Sequence, residues 1–269
     1  MDALTPAEIT AKAEEVGYKK ATGKFSHTLI SGILAGMYIA FGAVFSITSI
    51  SWLAGHVPFG IIKVIAGLAF SLGLILVMVA GAELFTWNAL LIISWLNKRI
   101  SSLHMIKNLI LIWCANFIGA LIVVGLVYVW WWYLFGNGII GETALNIGVH
   151  KLDYGFLQAL SLGILCNILV CLGVWLAWSW RSTGDKVLGI IFPITAFVAA
   201  GFEHVVANMF YLPFAYILKI SGFVVENIDV AHLTLKYIFV NNLLPVTLGN
   251  IIGWAVFVGI VYWWLYGKK

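Results

Sequence analysis

The amino-acid sequence predicts an all-α membrane protein with six transmembrane helices, built as an inverted three-helix repeat in which the second and fifth helices are broken. Three observations lead to this fold class: an apolar composition, six apolar runs long enough to span a membrane, and one pattern of glycine, glutamate and asparagine in both halves. A repeat with an odd number of spans crosses the membrane in opposite directions in its two copies.

The composition is that of a chain whose solvent is lipid. Of the 269 residues, 62% are hydrophobic and 10% are charged, and the mean hydropathy is +1.03. A soluble domain of this length carries about 25% charged residues. The three cysteines (Cys114, Cys166 and Cys171) fall in apolar segments and are interpreted as small buried hydrophobes, so neither a disulfide nor a metal site is predicted.

The spans follow from the apolar runs, since about 20 apolar residues cross a bilayer. The runs lie near residues 27–54, 59–97, 108–135, 154–180, 187–218 and 233–266. The second run is too long for one straight helix, and the fifth carries Glu203 and His204 near its middle. We therefore expect both to be broken helices.

Charge predicts the orientation. With both termini on one side, 11 of the 15 Lys and Arg residues share that side, which the positive-inside rule assigns to the cytoplasm. The net charge of +4 is explained by this topology and does not indicate a nucleic-acid partner. The organisation predicted for this multi-pass protein of the cell membrane is a cytoplasmic N-terminal segment (1–26), a channel domain (27–266) and a cytoplasmic tail (267–269). No cleaved signal peptide is predicted.

The internal repeat is marked by paired motifs. Gly32-Ile33-Leu34 in the first span matches Gly163-Ile164-Leu165 in the fourth. Gly81-Ala82-Glu83, followed by Asn88, matches Gly201-Phe202-Glu203, followed by Asn208; Asn116 in the third span matches Asn250 in the sixth. The repeats predicted are residues 27–135 and 154–266, with a pore bounded by residues 83–88 and 201–208, because non-helical backbone at membrane depth lines a cavity or is buried in protein.

Ionisable residues inside spans are functional candidates because burying them costs several kcal/mol. Glu83 either binds free backbone N–H groups at its break or serves the pore. Glu203 is adjacent to His204 and could orient or charge the imidazole, the one side chain that titrates near neutral pH. His204 itself is either a pore residue or a core histidine satisfied by a carbonyl.

The remaining polar residues of the spans suit a small anion with acceptor oxygens. Asparagines can supply neutral donors to a pore, although we expect about half of them only to tie helices together; they are Asn88, Asn116, Asn167, Asn208 and Asn250. Hydrophobic constrictions would limit leak; the candidates are Phe70, Leu74, Phe85 and Phe197, whose alternative role is packing. The His residues lie more than 20 positions apart and Gly-x-Ser-x-Gly is absent from the sequence, so no metal, cofactor or enzyme is predicted.

Four segments resemble signatures of the formate/nitrite transporter family. They are residues 81–86 (GAELFT), 163–172 (GILCNILVCL), 201–204 with 207–209 (GFEH and ANM) and 244–250 (LPVTLGN). Two positions depart from the family pattern. Trp87 replaces a small residue and bulks the tip of the loop, and Gly173 replaces a common alanine.

The resemblance implies an aquaporin-like protomer in a homopentamer, with passive, pH-sensitive passage of formate, nitrite or hydrosulfide. It implies a mobile loop formed by Leu84, Phe85 and Thr86, and constrictions at Phe70, Leu74 and Phe197. It also implies a central His204, an acidic neighbour Glu203, and polar partners Asn167 and Asn250. Lys151 becomes an external lysine that draws anions in.

The leading hypothesis from the sequence is a formate channel. Nitrite and hydrosulfide remain open as substrates of the same fold. A neutral-solute or ammonium channel is a more distant alternative, because a cation would favour pore-facing carboxylates. A membrane-embedded enzyme would need a nucleophile or a metal that the sequence does not offer.

Overall fold

A computed structural model describes residues 3–88, 91–223 and 225–267 of the chain, and no β-strand occurs within these ranges. The helices are α1 (Pro6–Ala21), α2 (Phe25–Ile50), α3 (Phe59–Ala80), α4 (Leu91–Leu96), α5 (Ser102–Val129), α6 (Ile139–His150), α7 (Phe156–Ser179), α8 (Thr183–Ala199), α9 (Val205–Ile220) and α10 (Leu235–Tyr266). Lys268 and Lys269 of the predicted tail lie outside the described residues.

Five helices of the described chain are long and apolar enough to cross a membrane, namely α2, α3, α5, α7 and α10. Helix α9 is apolar but has 16 residues. Helix α1 is different in kind: a capping box between Thr5 and Glu8 starts it, and lysines occupy its last turn. It is therefore a polar, separately capped helix outside the apolar spans.

Glycines allow two helix pairs to touch through their backbones. A Cβ at Gly36 would come within 2.0 Å of the Asn116 carbonyl oxygen, and one at Gly119 within 2.0 Å of the Ile33 oxygen, so α2 and α5 are in direct contact. A Cβ at Gly249 would meet the Leu160 oxygen at 2.2 Å, which joins α7 and α10 in the same way. Small residues at such crossings are the usual means of close packing between membrane helices.

The chain leaves helical geometry after α3. Gly81 ends the helix with φ +78°, a left-handed conformation that favours glycine. The Glu83 N–H then donates to the Ser31 carbonyl of α2 at 3.2 Å, which replaces a helical hydrogen bond with one to another span. Residues 81–88, which we call the first break, separate α3 from the short helix α4.

A second interruption follows α8. Gly201 has φ +74°, and the Glu203 N–H donates to the Leu162 carbonyl of α7 at 3.3 Å. Residues 200–204, the second break, are shorter than the first, because α9 begins at Val205 immediately after His204.

Two features differ from the runs read off the sequence. The helix of the third run ends at Val129, not at 135, because Trp131 has φ +55° and a short 3-10 helix, Trp132–Leu134, follows it. The 12-residue helix α6 follows and was not predicted, since its sequence mixes polar and apolar residues. Helix α10 contains two π-helical segments, Ile238–Leu243 and Ala255–Ile260.

Candidate functional site

The two breaks meet through one hydrogen bond. Thr86 Oγ1 of the first break lies 2.9 Å from His204 Nε2 of the second, and both side chains are buried. His204 Nδ1 accepts a hydrogen bond from the Ala207 N–H at 3.1 Å and so caps α9. Because a backbone N–H only donates, Nδ1 carries no proton here, and the neutral ring has its proton on Nε2, facing Thr86.

Aromatic and aliphatic side chains surround this contact. The rings of Phe70 and Phe197 meet edge to face at 5.9 Å, and Phe197 stacks on His204 at 5.9 Å with an interplanar angle of 19°. Leu74, Leu84 and Phe85 are also buried, at 2% exposure or less. All five apolar residues of the predicted constrictions therefore lie in the protein interior, and one of them, Phe197, stacks directly on His204.

One asparagine supports each break. Asn116 Nδ2 donates to the Gly32 and Glu83 carbonyls at 2.7 and 2.9 Å, and its Oδ1 accepts from the Phe85 N–H at 2.9 Å. Such bonds satisfy backbone groups that a broken helix leaves unpaired.

Asn250 does the same at the second break. Its Nδ2 donates to the Gly163 and Glu203 carbonyls at 2.8 and 3.0 Å, and its Oδ1 accepts from the Val205 N–H at 2.9 Å. Both amide N–H groups of Asn250 are thus occupied by backbone. This differs from the prediction that Asn250 offers donors to a pore.

Asn167 ties the first break to the second half. Its Nδ2 donates to the Thr86 carbonyl at 3.0 Å and to the Asn250 carbonyl at 2.9 Å. The Cys171 thiol also lies 3.6 Å from the Thr86 carbonyl. The N–H groups of Asn167 therefore fix the position of Thr86, instead of facing an open pathway as the sequence led us to expect.

Four residues form a buried polar group beside the second break, which we call the second quartet: Lys151, Glu203, Asn208 and Asn242. Lys151 Nζ lies 2.7 Å from one carboxylate oxygen of Glu203, and the two asparagines donate to the other at 2.6 and 3.1 Å. Asn242 also donates to the Lys151 carbonyl at 2.8 Å. One positive and one negative charge are thus paired away from water.

The first quartet repeats this arrangement with Lys20, Glu83, Asn88 and Asn108. Lys20 Nζ lies 2.9 Å from the Glu83 carboxylate and 2.7 Å from Asn88 Oδ1, and Asn108 donates to the Lys20 carbonyl at 3.0 Å. The ammonium also sits 4.2 Å from the centre of the Trp87 ring. Burial lowers the pKa of Lys20, and the neighbouring Glu83 carboxylate opposes this effect.

These contacts decide between interpretations that the sequence left open. Glu83 binds a lysine and not free backbone N–H groups. The Glu203 carboxylate bonds to Lys151, Asn208 and Asn242, whereas His204 bonds to Thr86 and to the Ala207 N–H, so the two neighbours have separate partners. The Lys151 side chain is only 15% exposed and paired, so it is not a solvated external charge.

Sequence reasoning missed Lys20, Asn108 and Asn242. A spacing signal was present: Lys20 and Lys151 each lie twelve residues before the Gly32 and Gly163 motifs. Asn108 and Asn242 each lie eight residues before the paired Asn116 and Asn250. Extending the repeat alignment to every polar residue, including those before the first apolar run, would have found all three.

The sequence itself matches a known family over nearly its whole length. The family model described as formate/nitrite transporter matches residues 7–264. The chain belongs to the formate/nitrite transporter family. It is therefore a multi-pass membrane protein of a family of channels and transporters, and the two breaks lie in the part of the chain that carries the family signatures.

Individual members of the formate/nitrite transporter family resemble the chain along more than nine tenths of their length. The formate channel FocA of Escherichia coli is 39% identical over 277 residues, covering 100% of this chain and 96% of the relative. The formate channel FocA of Haemophilus influenzae is 40% identical over 265 residues, covering 96% and 93%. A solved pentameric formate channel with formate bound has a TM-score of 0.79 at 38% identity, covering 95% of this chain and 99% of that one.

Proposed function

We propose that this protein is a passive, pH-sensitive channel for a small monovalent anion, with formate as its substrate. The observation that carries the proposal is the hydrogen bond between His204 Nε2 and Thr86 Oγ1, which joins the two helix breaks among apolar side chains. The full-length identity of 39–40% to two formate channels gives the substrate. Nitrite and hydrosulfide are the competing substrates on the same scaffold.

The architecture we infer has six spans, with α8 and α9 together forming the fifth. Two inverted repeats are supported by equivalent hydrogen bonds around Asn116 and Asn250 and by the two quartets. Since Lys20 comes from α1 and Lys151 follows α6, each repeat starts with one of these helices. The repeats then run over residues 6–129 and 139–266, longer than the 27–135 and 154–266 expected from apolar runs alone.

The surroundings we propose are the cell membrane, with both termini cytoplasmic, and a homopentameric assembly. The excess of Lys and Arg on one side supports the orientation, since 11 of the 15 lie there. The pentamer is supported by the pentameric relative, which covers 95% of this chain. Large apolar side chains exposed on every long helix, such as Phe45, Ile110 and Phe192, suit contact with lipid or neighbouring protomers.

Passage depends on replacing the contact between Thr86 and His204. An anion that leaves water for an apolar constriction loses solvation worth many kcal/mol unless fixed donors replace it. In the neutral ring the Nε2–H already points at Thr86, so a carboxylate that displaces the hydroxyl meets a ready donor. Protonation at Nδ1 would place a hydrogen where the Ala207 N–H points, so the imidazolium requires the α9 cap to open.

The other predicted site residues take supporting roles in this proposal. Phe70, Leu74, Leu84, Phe85 and Phe197 narrow the path on either side of His204. Asn167 and Asn250 hold the backbone that presents Thr86 and His204. Glu203 with Lys151 forms a neutral pair that keeps the second break in place without attracting or repelling the permeant ion.

Flux measurements with purified protein in liposomes test the proposal directly. Formate, nitrite, hydrosulfide and ammonium are compared side by side at equal gradients, with empty liposomes and the His204→Phe protein as controls. We expect rapid formate flux that is sharply reduced in the variant. Faster nitrite or hydrosulfide than formate would reassign the substrate, and ammonium flux without anion flux would overturn the anion channel.

A further inference from the structure

The face of α3 that carries the constriction residues also carries a lysine. Counting from Lys63, positions 67, 70 and 74 follow at helical spacing and share one face. Gly67 packs against the Thr195 backbone, and Phe70 and Leu74 are buried. Lys63 lies in the second turn of α3, so it sits on this face at the end where the helix begins.

Lys63 lies close to the second quartet. Its charge interacts electrostatically with both Lys151 and Glu203. Ser46 of α2 donates to the Ala66 carbonyl at 3.0 Å, one turn after Lys63, so α2 and α3 are joined at this end of α3. The Tyr211 ring of α9 lies 5.4 Å from Lys151 Nζ of the quartet.

The charge of Lys63 is not balanced locally. Among residues 3–88, 91–223 and 225–267, Lys63 makes no ion pair, and its ammonium lies 5.3 Å from the exposed Phe59 ring. Lys151 and Glu203 cancel each other at 2.7 Å. Asp153 is 56% exposed and is paired with His150. Lys63 is therefore a cation beside the second quartet that no ion pair within the described residues neutralises.

We propose that Lys63, not Lys151, forms the first attraction point for the permeant anion at the mouth where α3 begins. A partly exposed cation beside low-dielectric walls raises the local concentration of small monovalent anions, and salt screens the effect over about 8–10 Å. A buried lysine already neutralised by a carboxylate does not. This inference rests on the proposed anion channel and names the residue that concentrates anions at its mouth.

The test is the salt dependence of formate flux at subsaturating formate in liposomes, with ionic strength raised by a salt of large impermeant ions. One unit charge about 7 Å from the path in water changes local anion concentration about threefold. We expect Lys63→Gln to conduct about threefold less than the parent protein at low salt and equally at high salt. Lys63→Arg should behave as the parent, and Lys63→Glu should fall further than Lys63→Gln.

Two controls separate steering from structure. Lys236→Gln removes an exposed lysine of α10 and should leave the salt response unchanged. The double variant Lys151→Met/Glu203→Gln removes the neutral pair, and the channel that remains should keep the parent's salt response. Equal loss in Lys63→Gln at every ionic strength, or no loss at low salt, would overturn the inference. A parent protein that moves no anion would instead overturn the proposed function.

Discussion

The two breaks share their backbone support and differ in their chemistry. Asn116 and Asn250 make the same three kinds of hydrogen bond, and a lysine, a glutamate and two asparagines lie beside each break. At equivalent positions of the two turns, however, the first break has Leu84 and the second has His204. The residues that occur in both repeats therefore hold the backbone of the breaks, whereas His204, which has no counterpart in the first repeat, supplies the donor for the anion.

A further difference concerns what holds each break in place. The lysine of the first quartet comes from α1, the polar helix outside the apolar spans, and it also contacts Trp87. The lysine of the second quartet follows α6, and its glutamate is 3% exposed. The first break is thus tied to a separately capped helix, whereas the second is anchored within the packed chain.

The largest expected effect comes from removing the one feature that the first break lacks. His204→Phe deletes the Nε2–H donor, and a hydrogen bond to a charged group is worth about 1.5–3 kcal/mol, so formate flux should fall about 10-fold to 100-fold. His204→Asn retains a side chain that caps α9 and should keep some flux while losing most of its pH dependence. Liposome flux between pH 5 and 8 measures both.

If His204→Asn retained the parent's full pH response, the titrating group would lie elsewhere and the central histidine mechanism would fail. Thermal stability of each variant in detergent provides the control. Both variants should remain folded, because neither leaves a buried charge without its partner.

The next largest effect should be a loss of stability when the asparagine that supports each break is removed. Asn116→Leu and Asn250→Leu each leave one carbonyl and one N–H at a break without their partner and also remove a bond to a neighbouring helix. At about 1–3 kcal/mol for each buried unsatisfied group, both proteins should be strongly destabilised, with low yields of assembled protein. Size-exclusion chromatography after heating measures the loss. A normal Asn116→Leu protein beside a failed Asn250→Leu protein would break the equivalence of the two supports.

The two quartets can be compared by removing the lysine of each and then restoring stability with a second substitution. Lys20→Met leaves the Glu83 carboxylate without its cation, and Lys151→Met does the same to Glu203. Breaking a buried ion pair in this way costs about 3–5 kcal/mol. Adding Glu83→Gln or Glu203→Gln, respectively, should restore most of the stability by removing the unpaired charge. Thermal unfolding of the single and double variants tests this. No rescue in the doubles would mean that the lysines act through packing and not through charge.

How far the sequence predicted this molecule depends on the kind of information required. Gly81 and Gly201 predict the breaks because each adopts a left-handed conformation that ends a helix. The paired glutamates and asparagines that follow these glycines indicate where each break lies. The hydrogen-bond partners of Asn250 were not predictable from the sequence. An amide beside a break can bond either to free backbone groups or to a solute in the pore, and only the fold decides between them. Helix α6 was not predicted because a 12-residue helix of mixed polarity does not form an apolar run long enough to span a membrane.

The pairing of Lys151 shows the same limit. A lysine flanked by polar residues is typical of a solvated loop, and nothing local in the sequence connects it to Glu203, 52 positions later. Only the repeat joins them, because Lys20 and Glu83 have the same relation in the first half. Long-range charge pairs were therefore predictable from internal symmetry but not from composition or spacing within one segment.

The smallest expected effect concerns Trp87, which has no aromatic equivalent at the matching position, Ala207. Trp87 is 7% exposed, and its indole N–H finds no partner among the described residues. Trp87→Phe keeps a ring beside Lys20 while deleting this unpaired donor, so the lost contact area and the removed polar group offset each other. We expect thermal stability within about 1 kcal/mol of the parent, because cation–π contacts are worth about 0.5–2 kcal/mol and a phenyl ring retains part of that.

Trp87→Gly is the contrasting variant, since it removes the ring altogether. Amide hydrogen exchange over residues 82–88 should then rise, while exchange over residues 200–204 stays at the parent's level, because the Trp87 ring lies against Lys20 of the first quartet. Equal changes at both breaks would show that they move as one unit through Thr86 and His204. In that case the dependence of the first break on α1 would extend to the whole site, and Trp87 would govern both breaks.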